Sequence, residues 1–450
     1  MTKLFKPLVV CVVFLFVCAS FAKARVDEGV YILDPKGELL LEFAINPALT
    51  IDHVSSAGFE LYGPRGLKEE LTQAGVAYLS LDQLQADMHV KAADYPSSAQ
   101  VEQRLRAIQK KCSTIMALTS IGKSNHGHDL WVMKVSNAPL VDQKKPEMKY
   151  ISSMHGDEIT GRELLQEFLD DICNNYGKDA KITSLVDSVE LFVMVSMNPD
   201  GSDAQTRANA EGADLNRDFP DFSVSGDDQN TSQGRQVETQ AIMRFQDQRN
   251  FSLSANFHGG AEVVNFPWDT IEDKHPEEPL FRELSLVYAS RVPYIAQSSE
   301  FKDGITNGFE WYEVNGGMQD WSNHWYNDMQ LTIELSSEKW PDYSEIAGFW
   351  KNNRNALYSY ATMIEQGAGF YTENASTTGK VKITRMSKGQ VEQSVGEYDF
   401  RHGEFYKVLE VGHYRFEISV SGQTNQINPF EIDVKKPSLI GNTLLKRVKL

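Results

Sequence analysis

Three apolar runs in this chain each lead to a residue that carries chemistry. Residues 149–154 run into His155, residues 251–257 into His258, and the run over 329–335 holds Glu334. Runs of this kind read as buried strands. Between them the period changes. Leu164, Leu165, Phe168, Leu169 and Ile172 recur at helical intervals, which predicts a helix over 160–174. A further apolar run over 189–197 predicts another strand. Strands that alternate with helices fold as a mixed or parallel sheet covered by helices, an α/β fold. In such sheets ligands collect at the carboxyl ends of strands. His155, His258 and Glu334 stand at such ends.

This alternation occupies residues 93–368, and the flanks differ in texture. Residues 25–92 hold short apolar runs such as 39–41 and a helix-like stretch over 67–74, which suggests a small α+β unit. Beyond 369 the helical signals stop. Residues 379–384, 403–409 and 412–418 alternate apolar with polar between glycines, as in a small all-β sandwich. At the other end Lys3 and Lys6 precede an apolar run over 8–21, and Ala22-Lys23-Ala24 offers a small-x-small cleavage site. Residues 1–24 therefore read as a secretory signal peptide. The run is shorter than the ~20 residues that span a bilayer, so the expectation is export, periplasmic or extracellular, and no stable membrane span. Cys11 and Cys18 would leave with the signal. Cys112 and Cys173 remain, and either a disulfide or two buried thiols fits them.

The formal net charge is -18, and residues 1–24 carry three lysines and no acid, so the exported chain is more acidic still. That argues against nucleic acid as a partner. An acidic field attracts cationic peptides, and it serves equally as a solubilising surface.

His155 and Glu158 are three apart, so on a tight turn or helix start they share a face. One imidazole and one carboxylate suit a zinc ion, which needs a third protein ligand and keeps a fourth position for water. His258, followed by Gly259-Gly260, is the candidate. Asn216-Arg217 supplies an amide and a guanidinium fork for a carboxylate. Arg207 suits an oxyanion. Glu334, inside an apolar strand, is a candidate general base. Taken singly, each has an ordinary structural reading. Their assembly in one order argues for a single zinc hydrolase site.

With Gly161-Arg162-Glu163-Leu164-Leu165, Met197-Asn198-Pro199-Asp200-Gly201, Asp214-Leu215-Asn216-Arg217-Asp218-Phe219-Pro220, Gly316-Gly317-Met318-Gln319-Asp320 and Ile333-Glu334-Leu335 added, the chain resembles the zinc metallocarboxypeptidases over about 95–365. The likeness is to the regulatory branch that contains carboxypeptidases D, E, M and N, and the tail resembles the transthyretin-like domain of that branch. The resemblance implies a carboxypeptidase-like mixed sheet and one zinc ion per chain. It assigns His155, Glu158 and His258 as metal ligands, Glu334 as the base that activates the zinc-held water, and Arg207 to the scissile carbonyl. Asn216 and Arg217 would hold the substrate's terminal carboxylate, and Tyr312 would close over its end. Asp269 would pair with a C-terminal Lys or Arg, in a pocket that Gln319 lines, although a plain loop role also fits Asp269. The implied partners are peptide or protein C-termini. Asp157 and Asp218 depart from the branch, which more often has Asn there. Residues 25–92 have no counterpart in it and match the inhibitory prosegments of digestive carboxypeptidases in size alone. A stable accessory domain fits them equally well. An amidated cell-wall peptide as substrate, or a silent binding protein, are the competing functions; Asn216-Arg217 and Asp269 argue against the first, and the intact ligand set and base against the second.

Overall fold

The computed structural model describes residues 26–34, 36–37, 39–44, 46, 48–81, 95–386, 392–423, 427–438 and 445–448. The expected signal peptide and the expected boundary near residue 92 lie outside the described residues. The chain divides between Ala86 and Asp87 into two compact units.

The first unit is built on β1 (Glu28–Leu33), β2 (Thr50–Ser55), β3 (Gly58–Gly63) and β4 (Tyr78–Ser80), in the order β2-β3-β1-β4. Its pairs are antiparallel. The helix Leu67–Ala74 buries Leu67 and Leu71 against Val30, Ile32, Phe59 and Leu61. This is the α+β unit expected from the sequence. The leucines near residue 40 form a short helix, Leu40–Ala44, because the Asp34 carboxylate accepts the Leu39 and Leu40 amides at 2.8 and 2.9 Å.

The second unit contains an eight-stranded sheet in the order β11-β10-β12-β9-β7-β8-β6-β5. Its strands are β5 (Met116–Lys123), β6 (Asp129–Val135), β7 (Glu147–Ser152), β8 (Glu190–Met194), β9 (Phe251–His258), β10 (Ala261–Phe266), β11 (Ile305–Asn307) and β12 (Met329–Ser336). The β12-β9-β7-β8 centre is parallel, and β5, β6 and β10 pair antiparallel to their neighbours on the β6–β8 and β10–β12 sides. The helix Thr160–Asn175 buries Leu164, Leu165, Phe168, Leu169 and Ile172 in the main core. The α/β reading with a mixed, helix-covered sheet is what the structure contains.

β9 and β12 are buried along their whole length yet alternate in chemistry. Leu253, Ala255 and Phe257 join Met329, Leu331, Ile333 and Leu335 in the core. The residues of opposite parity, Asn256, His258, Thr332 and Glu334, therefore share the other face. β8 stops at Met194, short of the run that reaches Met197. The amides of Met197 and Asn198 instead donate to the carbonyls of Ser152 and Ser153, which draws this segment behind the turn that carries His155.

The tail forms two sheets, β16-β13-β19 and β15-β14-β17-β18. The strands are β13 (Gly367–Tyr371), β14 (Gly379–Met386), β15 (Gln393–Phe400), β16 (Glu404–Val408), β17 (Gly412–Val420), β18 (Phe430–Val434) and β19 (Leu445–Arg447). Phe370, Val381, Ile383, Phe400, Phe416 and Ile418 form their common core. The alternating residues of β14 and β17 thus bury one face, as a sandwich requires. Cys112 and Cys173, left open by the sequence, are joined in a disulfide with their Cα atoms 5.7 Å apart.

Candidate active site

β7 ends at Ser152, and the chain turns sharply through Ser153, a non-glycine residue at φ 51. The turn delivers His155 and Glu158 just before the helix Thr160–Asn175 begins. Gly156 is required here. A Cβ on it would lie 2.0 Å from the Gly201 carbonyl carbon and 2.4 Å from the Ser202 nitrogen. His258 closes β9, and the parallel register sets it directly beside Glu334 on β12.

Three side chains converge. His155 Nδ1 lies 2.9 Å from Glu158 Oε1, His258 Nδ1 lies 2.8 Å from Glu158 Oε2, and the two Nδ1 atoms are 3.2 Å apart. All three residues are buried, and their ligand atoms lie within 4.8 Å of one another. Burial opposes the charge on Glu158, but the His155 and His258 imidazoles outweigh it and hold the carboxyl well below the usual range. Burial pushes His258 down, towards the neutral form that ligates metal. Burial and Arg207 also press His155 down, yet Glu158 and Asp214 prevail and lift it to about 9. Two imidazole nitrogens and one carboxylate are the donor set of a catalytic zinc site with an open fourth position. The residues therefore fit the ion.

The far nitrogens are held as well. Asp214 Oδ1 lies 3.1 Å from His155 Nε2, and the Asn256 amide group lies 2.7 Å from His258 Nε2. Such partners fix ring orientation and leave Nδ1 to face the metal. Asp214 also accepts Arg207 Nε at 2.9 Å and the Asn216 amide at 2.8 Å. Burial opposes its ionisation, but Arg207 and His155 keep its carboxyl far below the usual range. One carboxylate thus ties His155, Arg207 and Asn216 to one another. In the sequence Asp214 stands within a motif and carries no role of its own. The signal available was its place two residues before Asn216-Arg217.

Arg207 Nη1 stands 3.2 Å from His155 Nδ1 and 3.4 Å from Glu158 Oε1, so it borders the metal position. Asn216 and Arg217 lie in a 3-10 turn, and Asn216 Oδ1 accepts the Met318 amide at 3.1 Å. Arg217 Nη1 donates to the Asn216 carbonyl at 3.0 Å. Tyr312 follows the short helix Gly308–Trp311 and is half-buried, with Trp311 at 4.8 Å.

Asp269, in the segment after β10, is 4% exposed. Asn265 Nδ2 and Gln319 Nε2 both donate to its Oδ1 at 2.9 Å. Gly308 allows this approach: a Cβ there would lie 1.6 Å from that oxygen. Gln319 and Asp269 are thus direct neighbours. Among the described residues no ion pair is formed by Asp269, or by the nearby buried acids Asp221 and Asp320. Asp157 is buried beside the site, 3.8 Å from the Lys339 ammonium.

A family model described as zinc carboxypeptidase matches residues 101–356. Carboxypeptidase SOL1 of Arabidopsis thaliana is 42% identical over 281 residues, 61% of this chain and 57% of that protein. The chain thus spans little more than half the length of that relative. Carboxypeptidase M of Mus musculus is 33% identical over 365 residues, 74% of this chain and 80% of that one. The crystal structure of carboxypeptidase A from Helicoverpa armigera matches with a TM-score of 0.59 at 17% identity, covering 74% of this chain and 96% of that one, a likeness of fold alone. Fold, ligand cluster and family match agree, and the chain belongs to the zinc carboxypeptidase family, whose cofactor is a single zinc ion.

Proposed function

We propose that the protein is an exported metallocarboxypeptidase that removes C-terminal Lys or Arg from peptides. His155, Glu158 and His258 would hold a zinc ion, which would supply a Lewis acid and lower the pKa of a water. Glu334 is the general base: its carboxylate takes a proton from the attacking water and passes it to the leaving amine. Its position beside His258 in the register of β12 and β9 supports this role. Arg207, anchored by Asp214, stabilises the oxyanion of the attacked carbonyl. Asn216 and Arg217 hold the terminal carboxylate, which makes cleavage exopeptidic, and Tyr312 closes over it.

The observation that carries the basic preference is Asp269. A buried carboxyl with two amide donors and no ion-pair partner among the described residues suits an incoming cation. A neutral side chain would leave it desolvated and uncompensated. The disulfide supports export, because such bonds persist in oxidising compartments. The two-sheet tail supports the transthyretin-like reading. Among the described residues no helix is long and apolar enough to cross a membrane.

The test is hydrolysis of matched peptides ending in Arg, Lys, Phe or Glu, with and without a chelator. Release of Arg and Lys well ahead of Phe and Glu, abolished by the chelator, is the expected result. Equal release of Phe would overturn the pocket and keep the enzyme class.

A further inference from the structure

Asp269 lies outside any helix or strand, so no ladder holds its backbone. Its amide instead donates to Asp320 Oδ2 at 2.8 Å, and the Thr270 amide donates to the same oxygen at 2.9 Å. The Asp269 carbonyl accepts the Val314 amide at 3.0 Å. Asp320 sits in the first turn of the helix Met318–Tyr326, one residue after Gln319. A single helical turn therefore grips Asp269 twice, at its backbone through Asp320 and at its carboxylate through Gln319. Thr270 extends the grip, since its hydroxyl lies 2.9 Å from Asp221 Oδ2, which also accepts the Gly316 amide at 2.8 Å.

Asp320 is an expensive way to hold a loop. It is 4% exposed, forms no ion pair among the described residues, and its Oδ1 is buried with no hydrogen-bond partner. A buried carboxyl in such a place is tolerated when the bonds it accepts fix something the protein uses. What it fixes is the peptide that carries Asp269.

We propose that Asp320 is a positioning residue for substrate selection: by accepting the Asp269 and Thr270 amides it sets the Asp269 carboxyl where the basic side chain of a substrate's last residue meets it. This rests on the reading of Asp269 as the acceptor of C-terminal Lys or Arg. Asp320 acts through Asp269 and takes no part in bond cleavage. Its loss therefore weakens binding of basic ends and leaves the chemical step alone.

The experiment compares the parent enzyme with Asp320→Ala and Asp320→Asn on matched peptides ending in Arg and in Phe, with zinc content and Tm checked for each. In Asp320→Ala the two amides lose their acceptor, and KM for the Arg peptide rises about tenfold with kcat within about twofold. KM for the Phe peptide stays put, so the Arg:Phe selectivity falls. Asp320→Asn keeps an oxygen for the amides and restores selectivity to within about threefold of the parent. An equal change in KM for both peptides, or a loss in kcat alone, would overturn the proposal. If Asp320→Ala does not fold, Asp320→Glu carries the same test, because it moves the acceptor by one methylene; unaltered selectivity there also overturns it. A parent enzyme that never prefers Arg is a different outcome, since it removes the reading of Asp269 itself.

Discussion

Glu334 and His258 stand side by side on adjacent parallel strands, so the proposed base and a proposed metal ligand keep one fixed relation. Glu334→Gln removes the proposed proton acceptor and leaves His155, Glu158 and His258 in place. Turnover should fall by at least about 10²-fold, while zinc per chain stays at one. Metal analysis alongside a peptide assay checks both, and full activity in the variant would sink the base assignment. Asp269 makes a pH prediction. Burial first, with Asp221 adding, pushes its carboxyl up to about 7, against the Asn265 hydrogen bond and Arg217. A cationic side chain binds the ionised form. KM for an Arg peptide should therefore fall as pH rises through about 7 and level off above it, whereas KM for a Phe peptide should lack this step. The sign for stability is opposite. The unfolded carboxyl ionises near pH 4 and the folded one near 7, so raising the pH across that window costs the empty protein stability through this group.

Among the elements, two helices are joined covalently. Cys112 caps the helix Ser98–Lys111, and Cys173 lies in the last turn of the helix Thr160–Asn175, which starts beside the metal site. The bridge spans a sequence separation of 61. By loop-closure entropy a bridge of that span stabilises by about 4 kcal/mol. A Cys112→Ala, Cys173→Ala variant should lose roughly that amount in a denaturant titration and keep its zinc at low denaturant. An unchanged midpoint would mean that the unfolded chain is already constrained there. The ligand turn itself rests on packing that no bridge supplies, the contact of Gly156 with residues 201 and 202.

At the scale of the molecule, the β tail is fastened to the α/β body by a buried charge. Lys407 on β16 pairs with Glu277 at 2.7 Å and lies 4.6 Å from the Tyr398 ring. Glu277 caps the helix Glu278–Ala289, downstream of Asp269, and His275 between them packs on Trp268 at 4.5 Å. Lys407→Met strands Glu277 and should destabilise the protein by about 3 kcal/mol. The added Glu277→Leu should recover most of it, and urea titration of the single and double variants measures the difference. Much of this architecture was legible beforehand. The helix over 67–74, the strand that leads to His155, the strand that ends at His258, the strand that holds Glu334, and the alternating tail follow from hydrophobic period, which is local and survives in one dimension. Residue types at fixed spacing also carried the ligand set, because a metal demands particular donor atoms. Other features depend on where distant segments meet. Asp214 behind His155, Asp320 under Asp269, the Cys112–Cys173 bond and the Lys407–Glu277 pair each join residues far apart in the chain. An aspartate or lysine reads the same in the sequence whether it is solvated or buried. Only the packed fold removes its water and names its partner, and that decides which acids position, which select and which merely dissolve the protein.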